Sequence, residues 1–151
     1  MPASDPTLER TVVILCGPPG AGKSTLAHQS GFDVYDRGDL WAGHQQFTAA
    51  VGNLATQVDA RAVVVIPGPS TAERLDACRL SGATHCYLVT APPDELYKRL
   101  AARATRARAT HLIGGWFDHH DTTDDVTAFP GWDHLGPPNV HALGQEATWC
   151  W

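Results

Sequence analysis

The sequence predicts an α/β domain in three layers: a mainly parallel sheet of about five strands with helices on both faces. Three observations carry this. Short β-branched apolar runs alternate with stretches of helical periodicity. The first run, residues 11–16 (TVVILC), passes straight into a glycine-rich loop and then a helix-forming stretch. The length of 151 residues, 43% of them hydrophobic, suits one core rather than two.

Each element follows in order. Residues 11–16 read as a buried parallel strand, because apolar side chains fill both faces rather than alternating. Residues 24–29 form the first helix, stopped near Gly31, and residues 32–35 form a second, shorter strand ending at Asp36. Leu40, His44, Phe47, Val51, Leu54 and Val58 recur at steps of three and four, the spacing of one face of a long helix, which Gly43 and Gly52 weaken. Residues 62–66 (AVVVI) are the clearest central strand, closed by Pro67-Gly68-Pro69. Ser70 followed by Glu73 predicts a capping box for a helix over 71–80. Residues 85–89 give a fourth strand, and Pro92 and Pro93 suit the first turn of a helix that turns Leu96 and Leu100 inward. That helix is expected to run on through the arginine-rich stretch to Arg108, with a further helical segment over 112–119. The domain thus spans 11–120, including a candidate lid over 98–110, between a tail (1–10) and an extension (121–151) in which 140–143 supply a fifth strand.

Composition excludes several classes. A net charge of -5 argues against non-specific coating of nucleic acid. No recognition-helix motif points to sequence-specific DNA binding. The four cysteines, Cys16, Cys78, Cys86 and Cys150, form no C-x-x-C pair and read as reduced thiols. No basic stretch followed by an apolar run opens the sequence, and no apolar run is long enough for a bilayer, so the expectation is a cytoplasmic protein without a membrane partner. His111, His119 and His120, with Asp118 and Asp121, lack the spacing of a metal site and read as a polar surface. The tryptophans at 116, 132, 149 and 151 read as packing residues.

The loop Gly17-Pro18-Pro19-Gly20-Ala21-Gly22-Lys23-Ser24, followed by Thr25, satisfies G-x-x-x-x-G-K-[ST] in full. Glycines let backbone amides turn inward on phosphates, Lys23 reaches the terminal phosphate oxygens, and Ser24 ligates Mg²⁺. A nucleoside triphosphate, ATP with Mg²⁺, is therefore the expected ligand. The central strand over 62–66 ends without the acid that motor ATPases use to hold Mg²⁺. Asp36 and Asp39 lie instead just past the second strand, at the carboxyl edge where ligands collect. Either could take a proton from an acceptor hydroxyl or help place the metal, and Asp39 alternatively N-caps the next helix. Residues 98–108 hold five of the eleven basic residues and no acid, with Arg99, Arg103 and Arg106 at one-face helical spacing. Such a stripe can close over ATP and offset charge on the transferring phosphoryl group.

Three segments, CGPPGAGKST (16–25), VYDRGDL (34–40) and PDELYKRLAAR (93–103), make the chain resemble the small P-loop kinases of the polynucleotide-kinase and adenylate-kinase-like group, many of them from phages. The likeness covers roughly residues 11–120. It implies that Arg99 and Arg103 are lid arginines, and that the acid after the second strand activates the acceptor. The family's usual Arg-Asp-Asp there is Arg37-Gly38-Asp39 here, and its polar stretch after the third strand is Pro67-Gly68-Pro69-Ser70. The expected function is ATP-dependent phosphoryl transfer to a nucleotide, nucleoside or polynucleotide 5′-hydroxyl. A non-catalytic or weakly hydrolytic ATP-binding module acting through a protein or DNA partner is the alternative.

Overall fold

The computed structural model describes residues 10–37, 44–102 and 104–140. Its strands are β1 (Thr11–Cys16), β2 (Asp33–Asp36), β3 (Arg61–Ile66), β4 (His85–Leu88) and β5 (Thr127–Ala128), all parallel, in the order β2-β3-β1-β4-β5. The helices are α1 (Lys23–Gln29), α2 (His44–Asn53), α3 (Thr71–Ser81), α4 (Pro93–Ala101) and α5 (Arg106–His119).

Side-chain alternation along the central strands builds the three layers. Val12, Ile14, Ala62, Val64 and Ile66 face Phe47, Val51 and Cys78, the α2 and α3 side. Val13, Leu15, Val63 and Val65 face Ala27, Leu96, Leu100, Ala109 and Ile113, the side of α1, α4 and α5. Burial on both faces explains why β1 and β3 read as unbroken apolar runs rather than alternating ones. Ser70 N-caps α3 by accepting from the Glu73 N–H at 3.2 Å, and its hydroxyl donates to Glu73 Oε1 at 3.1 Å.

Two expectations about helices change. The periodic face reaching Val58 ends early: α2 stops at Asn53, a 3-10 turn follows over Leu54–Thr56, and Val58 is 87% exposed. The chain must reverse there to enter β3 at Arg61, and Gly52 and Asn53 are poor helix continuers. The arginine-rich stretch is not one helix either. Helix α4 ends at Ala101, and Thr105 starts α5 by accepting the Arg108 N–H at 3.1 Å. An N-cap threonine adopts extended backbone, which breaks the helix that Arg99 and Arg106 would otherwise share.

In the extension, the fifth strand is β5, beside β4. Val140 is not in a strand, and residues 141–143 of the expected one lie outside the described residues, as do Leu40, Trp149, Cys150 and Trp151. Among the described residues, no helix is long and apolar enough to cross a membrane.

Candidate active-site cleft

Parallel strands put every carboxyl end on one edge, and the loop after β1 sits at its centre. Gly17 must be glycine, because a Cβ there would lie 1.9 Å from the Val89 carbonyl oxygen. Its N–H donates to the Pro67 carbonyl at 3.0 Å, tying the loop to the end of β3. Gly22 caps α1 at φ 94°, a left-handed conformation that turns the chain into the helix. The first-turn amides of α1, from Lys23 to Thr25, have no acceptor within the helix, and these three residues line the cleft. Unpaired amides at the positive end of a helix dipole are the chemistry that an anion requires.

Lys23 folds back on the loop, donating to the carbonyls of Gly17 and, at 3.4 Å, Pro18. Burial lowers its pKa to about 8, against the pull of Cys16 and Asp36 in the other direction. Asp36, at the end of β2, is only 6% exposed and accepts a hydrogen bond from the Ser24 hydroxyl. Two hard oxygen donors thus meet beside the phosphate loop, a donor set that fits Mg²⁺. Arg99 donates to the Gly20 carbonyl at 2.9 Å and lies 3.7 Å from Glu95 one turn back.

These groups border one open cleft of about 1280 Å³, lined by residues 19–25 of the loop, Asp36, Arg37, residues 65–67 of β3 and its end, Arg99, Leu100, Ala102, Ala104, Arg108 and Leu112. The cleft therefore brings together Pro19, Gly20, Ala21, Gly22, Lys23, Ser24, Thr25, Asp36 and Arg99, while Gly17 and buried Pro18 support the loop from beneath. Asp39, Gly38 and Arg103 lie outside the described residues. Two cations that the sequence does not single out also border the cleft. Arg37 immediately follows the β2 edge, with its N–H bonded to Val65 at 3.0 Å, so its position in the chain was the available signal. Arg108 reaches the cleft because Thr105 restarts the helix, which the basic composition of the stretch does not reveal.

Beneath the loop, hydrogen bonding with Cys86 and burial raise the Cys16 pKa, so it is a packing thiol rather than a nucleophile. The wall after β3 is held by buried Arg74, which donates to the carbonyls of Gly68 at 2.8 Å, Pro69 at 3.0 Å and Asp121, and pairs with Asp124 at 2.9 Å. Trp116 donates its indole N–H to the Pro67 carbonyl at 2.7 Å and stacks on His120 at 4.5 Å.

No protein-family model and no curated protein matches the sequence. Solved structures do match. The crystal structure of APE1195 is 16% identical with a TM-score of 0.50, covering 82% of this chain and 86% of that one. A gluconokinase from Sinorhizobium meliloti 1021 is 16% identical with a TM-score of 0.53, covering 80% of this chain and 81% of that one. At such identity the likeness is one of fold, and with the parallel five-stranded sheet it makes this an α/β domain of the P-loop NTPase fold, in the form a P-loop kinase also has.

Proposed function

We propose that the chain is an ATP-dependent phosphotransferase that passes the γ-phosphoryl group to a hydroxyl of a nucleoside, nucleotide or polynucleotide end. One observation carries the reading: Lys23, the Ser24–Asp36 pair and the residues Arg37, Arg99 and Arg108 border a single cleft at the carboxyl edge. That arrangement supports a triphosphate site with cations around the group that would move.

Loop amides and Lys23 would hold the triphosphate, and Arg99 and Arg108 would offset the charge that develops on its transferring group. Ser24 and Asp36 would hold Mg²⁺, which when bound neutralises phosphate charge. The hydrogen bond from Ser24 supports a metal-placing role for Asp36, and on this reading Asp39 would receive the acceptor's proton. The acceptor oxygen bonds to the γ-phosphorus, and the bond to the β–γ bridging oxygen breaks with its electron pair leaving on ADP. The hydroxyl proton passes to the carboxylate and then to solvent.

Incubation with γ-labelled ATP and a panel of hydroxyl acceptors tests this. Label transfer that falls by at least about a hundredfold in Lys23→Ala is the expected result. Tight ATP binding with no transfer to any acceptor would leave a non-catalytic binding module instead.

A further inference from the structure

A second cavity of about 470 Å³ adjoins the phosphate cleft, and Lys23 borders both. Its remaining chemistry differs from the cleft's. Among its described lining residues Lys23 is the one cation, whereas Arg37, Arg99 and Arg108 all border the cleft and none borders this cavity. The acid here is Glu73, at the start of α3. One of its oxygens takes the Ser70 hydroxyl, and a carboxylate keeps further acceptor capacity for a ligand. His119 Nδ1 lies 2.8 Å from the Gly115 carbonyl, so it carries the proton there, and Nε2 of the neutral ring is left as an acceptor. Leu112 and Trp116 make the apolar floor, with Trp116 only 5% exposed and fixed by its bond to Pro67.

We propose that this cavity seats the phosphoryl acceptor, and that the acceptor is an uncharged, hydroxyl-bearing small molecule of nucleoside or monosaccharide size. The inference rests on the kinase reading above. A molecule held beside Lys23 faces the phosphate that Lys23 grips. Its hydroxyls find acceptors in Glu73 and His119, and its apolar face finds Leu112 and Trp116. A phosphate already on the acceptor would meet the Glu73 carboxylate, a like charge that no arginine on this side offsets. The step balances as before: an acceptor oxygen gains the γ-phosphoryl group, ADP leaves with the electron pair, and one proton is released.

Gly115 provides the test, since a Cβ added there meets nothing within 4 Å, and the same holds for neighbouring Gly114, which does not line the cavity. The full chain is assayed with γ-labelled ATP against ribonucleosides, aldoses and polyols, and against nucleoside monophosphates, sugar phosphates and 5′-hydroxyl oligonucleotides. We expect at least one uncharged acceptor to be used with kcat/KM about tenfold or more above its phosphorylated counterpart. Gly115→Leu should raise the acceptor KM by about tenfold or more, with the ATP Kd held within about twofold, and Gly114→Leu should change neither. Glu73→Gln, which keeps the shape, should also raise the acceptor KM without weakening ATP. Transfer confined to phosphate-bearing acceptors, or an acceptor KM indifferent to both Gly115→Leu and Glu73→Gln, overturns the proposal and leaves the kinase reading standing. ATP binding without transfer to any acceptor overturns the kinase reading and the proposal together.

Discussion

Lys23 is a half-buried amine held on the loop carbonyls, with a pKa lowered to about 8, and on the proposed reading a bound triphosphate would change its protonation. Above pH 8 much of the free protein holds the amine neutral. A bound triphosphate favours the charged form and pulls the pKa back up. ATP binding between about pH 8 and 9 should therefore take up a proton. Calorimetry in buffers of differing ionisation enthalpy measures this, and the uptake should vanish in Lys23→Met. The loop residues themselves were legible in the sequence because each has a chemical duty at fixed spacing. The partner of Ser24 was not: Asp36 and Asp39 stand equal on paper, and only the β2–β3 register buries Asp36 and brings its carboxylate to the serine. Asp36→Asn should accordingly raise the Mg²⁺ concentration needed for half-maximal transfer by about tenfold or more, and ATP-dependent activity titrated against Mg²⁺ reads it.

At the scale of elements, the first four strands were readable from apolar runs, as was the Ser70 cap of α3, while the short fifth strand and the ends of α2 and α4 were not. Thr105 outweighs the helical periodicity of the arginines around it because a hydroxyl cap satisfies an otherwise orphaned amide, at 3.1 Å from Arg108 N. The consequence is functional. A single arginine stripe would make Arg106 equivalent to Arg99, whereas the break between α4 and α5 places Arg99 and Arg108 on the cleft and Arg106 off its lining. Arg99→Ala and Arg108→Ala should each slow transfer by about tenfold to a hundredfold, while Arg106→Ala should stay within about twofold. Thr105→Ala, which frays the start of α5, should cost about 1 kcal/mol of stability and lower activity through Arg108. Steady-state kinetics with thermal denaturation separate these effects, and an Arg106→Ala defect as large as that of Arg99→Ala would restore the single-stripe arrangement.

At the scale of the molecule, the parallel sheet follows from strand–helix alternation, but the contact that locks its active edge spans about fifty residues and leaves no local pattern. Arg74 looks like an ordinary polar position on α3, yet it is fully buried, bridging the loop after β3 to the segment that follows α5. Its partner Asp124 is itself mostly covered, with 15% of its side chain exposed. Burial alone would raise the Asp124 pKa, but hydrogen bonding and charge from Arg74 outweigh it, so the value falls below the usual 3.8. A carboxylate with a lowered folded pKa contributes stability that is complete above its unfolded pKa and is lost as pH falls through the folded value. Stability should therefore decline below about pH 4, and Asp124→Asn should flatten part of that acid limb while lowering stability at neutral pH. Arg74→Met should be worse at neutral pH, by about 3–5 kcal/mol, because it strands a carboxylate and three carbonyl groups at once. Adding Asp124→Leu to Arg74→Met should regain part of the loss by removing the stranded charge. Denaturant unfolding of the three variants and the native chain across pH decides it: equal stability of Arg74→Met and the native chain would mean that the clamp carries no weight. Because the clamp holds the carbonyls of Gly68 and of Pro69, the latter in the wall of the second cavity, the Arg74→Met variant should lose acceptor binding before ATP binding as denaturant rises.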